Sequence, residues 1–427
     1  MKILAVSLVL AFLTGAASAQ NSKELLTLGD VVDLAVKNSP AALAAEQDII
    51  ITRQRVHEAR FMAMPQFTLS GTLSRVNLEY PAVLGSEMGD SFIAPGSGDA
   101  FYTVRAQALQ PLYTGGKNTN TLKLAKTANN QAKVNFETVK ADAALAAKKA
   151  FYTLLYQRRL REASQEWLKR AASLNDSVRK DAFEEIESAM LLSGLSGRAR
   201  QAEQGEEAAR TELLKVLNRE PGYGADVEGA FEPQPVEAGA NLSLVTAMET
   251  RSELKSELYK AQMDDIAVNM AMIRRYPTIY LGASYDVNAP HFSSLVDQTA
   301  RSSNWLASVS VHFPLSYDIW TQVLQRKAQQ RQGELKRSEL QDRIRFEIIS
   351  AHKEAVFWQA EAEKMRAEIE RMKTAYEAAA RSVRPAMPEL RALCSLCGLE
   401  KNYLDAVYSQ LMARIRLEWA QGRDFSK

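Results

Sequence analysis

Few residues in this sequence are placed for chemistry. Cys394 and Cys397 form a Cys-Ser-Leu-Cys, and they are the only cysteines in 427 residues. Gly398 follows the pair where a c-type haem site would need His. His57, His291, His312 and His352 are scattered, and there is no second Cys-x-x-Cys, so no zinc site assembles. The remaining use for the pair is a local disulfide, which two cysteines three apart on a helix could form with some strain. No Gly-x-Ser-x-Gly elbow, His-Glu-x-x-His or phosphate-binding glycine loop is present. Carboxylates are plentiful, but they sit in helical segments at charge-pair spacing, where they serve as surface ion pairs. The pattern points away from an enzyme and asks for no cofactor and no metal. A formal net charge of +2, with both signs interspersed, gives no electrostatic footprint for nucleic acid.

The N-terminus reads as an export signal. Lys2 supplies a positive start, Ile3 to Leu13 a short apolar core, and Ala17-Ser18-Ala19 a small-x-small cleavage pattern, giving a mature chain from about residue 20. Such a chain enters an oxidising compartment, where the cysteine pair could close. No later stretch approaches the ~20 apolar residues of a membrane helix. A membrane-embedded form would therefore have to be a closed β-barrel.

The elements follow from changes of period. Leu28 to Lys37 and Ala41 to Met64 read as helices, ended by Pro40 and Pro65. Strict alternation then marks strands at about 66–76 and 101–111, separated by a Gly/Pro-rich loop over Asn77 to Asp99. Lys117 to Ser193 lacks Gly and Pro and is rich in strong helix formers. Leu122, Ala125, Ala132, Phe136, Val139, Ala143, Ala146 and Ala150 fall at heptad spacing, which reads as a narrow coiled-coil seam. The helix is expected to turn back between Glu185 and Gly197, where Gly194 and Gly197 are the only breakers, and to return to about residue 218. Residues 221–240 form a Pro/Gly-rich connector. The order then repeats over 241–427: short helix, longer helix, strands at about 277–287 and 304–314, and a second long hairpin over about 317–421. The domains are thus a signal over 1–19, a first repeat over 20–220, the connector and a second repeat.

Each strand has one apolar face. Phe67, Leu69 and Leu73 lie on one side of the first strand, and Tyr102 and Val104 on one side of the second. Ile279, Leu281 and Tyr285 do the same in the third, and Trp305, Val309, Val311 and Phe313 in the fourth. The opposite faces carry Ser, Thr, Gln and other small residues. Strands of this length with one lipid-compatible face fit a transmembrane barrel whose other face meets water. Four strands cannot close a barrel, and lipid tolerates no open edge. Several copies must therefore share one barrel, and three give about twelve strands around a water-filled lumen. The expected fold is mainly α with membrane β, an internal two-fold repeat supplying four strands per chain to a trimeric barrel, continued by a long α-helical coiled-coil barrel.

Leu26 to Pro40 (LTLGDVVDLAVKNSP), Leu109 to Lys117 (LQPLYTGGK), Val311 to Leu315 (VHFPL) and Tyr403 to Gly422 (YLDAVYSQLMARIRLEWAQG), in that order and spacing, resemble the TolC-like outer-membrane efflux proteins. The resemblance implies a homotrimeric tunnel in the outer membrane of a Gram-negative envelope, reaching into the periplasm. It also implies two partners, a periplasmic adaptor (membrane fusion) protein and an inner-membrane efflux transporter. The protein would be a passive duct whose energy comes from that pump. The family's periplasmic tip closes like an iris, often around acidic residues. By that resemblance the second turn offers Glu389 with Arg391 two residues on, and the first turn offers Glu184, Glu185 and Glu187, as tip or gate candidates. A soluble periplasmic adaptor or structural coiled coil shares the signal and a helical hairpin. It does not account for two hairpins, each preceded by a strand pair.

Overall fold

The computed structural model describes residues 24–75, 100–177, 181–236, 239–314, 317–382 and 387–422. The export signal, the loop over Asn77 to Asp99 and the 383–386 part of the second turn lie outside these residues. In chain order the elements are β1 (Glu24–Leu26), α1 (Leu28–Asn38), α2 (Pro40–Phe61), β2 (Gln66–Arg75), β3 (Ala100–Tyr113), α3 (Lys117–Ser177) and α4 (Ala182–Val216). Then come β4 (Ala225–Val227), α5 (Ala240–Thr250), α6 (Ser252–Ile273), β5 (Thr278–Ala289), β6 (Ser302–His312), α7 (Asp318–Ser382) and α8 (Met387–Ala420). A short 3-10 turn, Phe292–Leu295, lies between β5 and β6. The lengths echo one another: α1 and α5 both have 11 residues, α2 and α6 both 22, α3 and α7 61 and 65, α4 and α8 35 and 34. At 1.5 Å per residue α3 alone runs roughly 90 Å.

The described residues form two compact units, one within 24–45, 136–252 and 341–422, the other within 46–135 and 253–340. The first is helical. Its core sets Val31, Val32 and Ala35 of α1 against Ala147, Phe151 and Leu154 of α3, Leu213 of α4 and Val407 and Leu411 of α8. Thr27 caps α1 through a capping box with Asp30, and β1 pairs in parallel with β4. Gln410 is fully buried, and its side chain clasps the backbone of Gln234, accepting from the N–H and donating to the C=O. Arg251 pairs with Glu347 at 2.8 Å and stacks over the Trp419 ring.

The second unit carries the sheet, with strand order β2-β3-β5-β6 and every neighbour antiparallel. Asn129 of α3 donates to Ile49 O at 3.2 Å and Thr52 Oγ1 at 2.9 Å, tying α3 to α2. Gly115 and Gly116 make the turn from β3 into α3 at φ +60° and +91°. A Cβ on Gly115 would stand 2.9 Å from Cβ of Tyr276, so both backbone angle and space demand glycine here.

Two expectations from the sequence are corrected. Helix α3 ends at Ser177 and α4 starts at Ala182, so the chain is not broken at Gly194 or Gly197, which both lie inside α4. Asp181 starts α4: its side chain accepts from the N–H groups of Phe183 and Glu184, and Glu184 returns a bond to Asp181 N. A capping box thus begins the helix where no glycine breaks one. The heptad seam is also displaced in part: its Ala150 is kept in the core and its Ala146 is not. Ala146 is exposed, whereas Ala144, Ala147, Ala150, Phe151, Leu154 and Leu155 are buried. That is the wider stripe of a helix packed on several neighbours. Pro388 sits in the first turn of α8, where its missing N–H has no helical partner to lose.

Candidate functional site

Two surfaces carry the chemistry, and each is built from sequence upward. The first is the sheet. In antiparallel strands directly opposed residues share a face. The register opposes Phe67 to Ala108, Leu69 to Ala106, Leu73 to Tyr102, Val104 to Val287, Tyr285 to Trp305, Leu281 to Val309 and Ile279 to Val311. The candidate lipid-facing residues of all four strands therefore fall on one continuous face. Phe313 lies one residue past β6 and is also exposed. The chain leaves this face bare: Phe67 is 80%, Leu69 77% and Trp305 78% exposed. Nothing among the described residues offsets the cost of this apolar surface in water, which is ~25 cal/mol per Å².

The opposite face carries Thr68, Ser70, Thr72, Thr103, Gln107, Ser284, Asn288, Asn304 and Ser308, interrupted by Leu109, Tyr280 and Leu306. Inspection of single strands misses a pair in its middle. Arg105 of β3 stands opposite Asp286 of β5, and its Nε and Nη2 donate to the two carboxylate oxygens at 2.7 and 3.1 Å. Beside it Thr103 Oγ1 donates to Asn288 Oδ1 at 2.7 Å. Pro111, which has no N–H, sits where the β3–β5 register shifts before Tyr113.

The second surface is the end of the helical unit where α3 meets α4 and α7 meets α8. Met387, Leu390 and Leu393 of α8 are buried with Trp167 and Ala171 of α3 and Leu195 of α4. This core holds the tip candidates in place. Arg391 Nε donates to Glu187 Oε1 at 2.7 Å, and Nη2 donates to the other oxygen, bridging α8 and α4. The hydrogen bond from Arg391, aided by its charge, outweighs desolvation and holds the Glu187 carboxyl below its ordinary range. Glu389 accepts from Tyr376 Oη at 3.5 Å, and burial, with Glu389 beside it, pushes that phenol upward. Glu184 is engaged in capping, and Glu185 is exposed on the first turn of α4. Phe183, Ile186 and Met190 follow at helical spacing as an uncovered apolar stripe. Cys394 and Cys397, candidates for a disulfide, are free thiols on successive turns of α8.

No described helix is long and apolar enough to cross a membrane. Among solved structures the chain is similar to the CmeC outer membrane channel of Campylobacter jejuni, at 16% identity and TM-score 0.78, over 93% of this chain and 87% of that one. It is similar to the outer membrane protein VceC of Vibrio cholerae, at 14% identity and TM-score 0.77, covering 93% and 96%. It is also similar to the open-state MtrE outer membrane channel of Neisseria gonorrhoeae, at 15% identity and TM-score 0.77, covering 92% and 88%. The fold is that of the TolC-like channels, helical with strands that serve a barrel. No curated protein matches by sequence. Residues 31–218 match the model of the outer membrane efflux protein family.

Proposed function

We propose that the chain is one of three identical subunits of an outer-membrane efflux channel, through which substrates pass passively to the exterior. The observation that carries this reading is the sheet: one largely apolar face, most of it uncovered, and two unpaired edges, β2 and β6. In lipid such edges must pair. Joining β6 of one copy to β2 of the next, three times, gives a closed barrel of about twelve strands. Its lipid-facing side is the one carrying Phe67, Leu69, Leu73, Tyr102, Val104, Ile279, Leu281, Tyr285, Trp305, Val309 and Val311. Its lumen is lined by Ser and Thr, with the Arg105–Asp286 pairs among them.

The helical hairpins would continue the conduit into the periplasm. Uncovered Phe346, Ile349 and Val356 along α7 supply apolar surface for neighbouring copies. Glu187, Arg391 and Glu389 would form the gate, held shut by the Glu187–Arg391 bridge. The adaptor would dock at the tip, and an inner-membrane pump would supply the energy. The export signal over 1–19 would bring the chain to the periplasm. The test is cysteine cross-linking between β2 and β6. Cysteines replacing Ser70 and Ser308, both on the polar face, in one chain should give covalent trimers in the outer membrane. Cross-links confined to single chains would overturn the shared barrel.

A further inference from the structure

The thiols of Cys394 and Cys397 have no part in the duct. They lie three residues apart on one face of α8, inside the core that includes Trp167, Leu195 and Leu393. Arg198 of α4 lines the same cavity as Cys397, and its charge favours the ionised form of both thiols. A cavity of about 310 Å³ opens on this group, lined by Cys397, Arg198, Trp167, Ser164, Gly205 and Lys401.

We propose that Cys394 and Cys397, with Arg198 as the compensating charge, form a binding site for a monovalent thiophilic metal ion, Cu(I) or Ag(I). Helix geometry separates side chains three apart by ~5–6 Å at Cβ. A disulfide wants Cβ atoms ~3.5–4.5 Å apart, so closing one would distort α8, which is continuous through both residues. A metal ion held between two sulfurs spans the wider gap without moving the helix. The ligand count selects the metal. No group of three or more His, Cys, Asp or Glu able to hold a metal occurs among the described residues. That disfavours tetrahedral Zn(II) and leaves ions content with two soft ligands.

The charges balance. Two S–H bonds break and two S–metal bonds form, and both protons leave to solvent through the cavity. The bis-thiolate complex of a monovalent ion carries one negative charge, and Arg198 supplies the positive one beside it. In the metal-free chain burial keeps both thiols protonated, pushing them above their ordinary range.

The test uses the full-length protein in detergent, reduced with a phosphine under anaerobic conditions and titrated with Cu(I) against a chromophoric Cu(I) chelator. One Cu(I) per chain should be withdrawn from the chelator. Cys394→Ser and Cys397→Ser should each abolish that stoichiometry. Because Cys397 is buried, oligomer mass is measured alongside, and Cys394→Ser, at a partly exposed position, is the variant expected to remain folded. Arg198→Gln should keep one Cu(I) per chain but weaken it about tenfold, roughly the effect of losing one nearby charge. Failure to take Cu(I) from the chelator would overturn the site. So would equal uptake by the double serine variant, tighter binding of Zn(II), or a chain isolated with its thiols already joined. Unchanged affinity in Arg198→Gln would overturn the role given to Arg198.

Discussion

Leu69 and Thr68 are neighbours on β2, yet a barrel in lipid requires them to meet different solvents. Leu69 lies opposite Ala106 and Thr68 opposite Gln107, near the middle of a ten-residue strand. Arginine placed at Leu69 would face acyl chains close to the bilayer midplane, at a cost of about 2–4 kcal/mol. Three copies make that about 6–12 kcal/mol for the barrel. Even the lower limit per chain shifts an insertion equilibrium by roughly thirtyfold. Arginine at Thr68 would extend into the lumen among Ser and Thr side chains and remain hydrated. The assay compares Leu69→Arg with Thr68→Arg for the fraction recovered as folded oligomer in outer-membrane vesicles, and for the guanidinium midpoint after reconstitution. Leu69→Arg should be depleted and less stable. Thr68→Arg should insert normally and shift ion selectivity toward anions. Equal tolerance of both, or a greater loss at Thr68, would refute the assignment of faces.

Three further outcomes follow from the geometry. Leu390 is fully buried in the tip core, so Leu390→Ala should lower stability by about 2–5 kcal/mol, read as a lower denaturation midpoint of that helical unit. Gly115→Ala would place a side chain at φ +60° against Tyr276, and should cost about 1–3 kcal/mol and reduce oligomer yield. At the tip, Glu187→Gln should raise the open fraction of single channels at neutral pH. Because the Glu187 carboxyl is held below its ordinary range, its bridge to Arg391 is present above the unfolded value and is lost as pH falls through the lower folded value. In single-channel records the wild type should therefore open more readily only in acid below the usual carboxylate range. Glu187→Gln should lack that transition.

The strands were readable because a half-exposed strand announces itself twice, by alternation and by the residues that end it. Gln66 to Ser74 alternate without exception after Pro65, and the β3 pattern ends near Pro111. Helix identity was equally plain, because long stretches without Gly or Pro leave little else. The location of the first turn was not plain, because glycines drew attention to residues 194–197. Asp181 and Glu184 hold a weaker but mechanistic signal, an acceptor at the N-cap with a carboxylate three residues on. The buried stripe of α3 was misplaced for a different reason. Ala is so frequent there that several registers look alike, and the choice between Ala146 and Ala147 is made by neighbours on α1, α4 and α8. The tip pair was hidden by distance along the chain. Glu187 and Arg391 are separated by 204 residues, and only the packing of Leu390 and Leu393 against α3 and α4 brings them together.

The central claim is that several copies of this chain share one pore. It is tested most directly by planar-bilayer conductance of the detergent-extracted protein, with the mass of the complex determined on the same preparation. Three chains per particle with discrete, mostly low-conductance openings is the predicted result. A single-chain particle that inserts as a folded barrel, or a three-chain particle that never conducts, would contradict it.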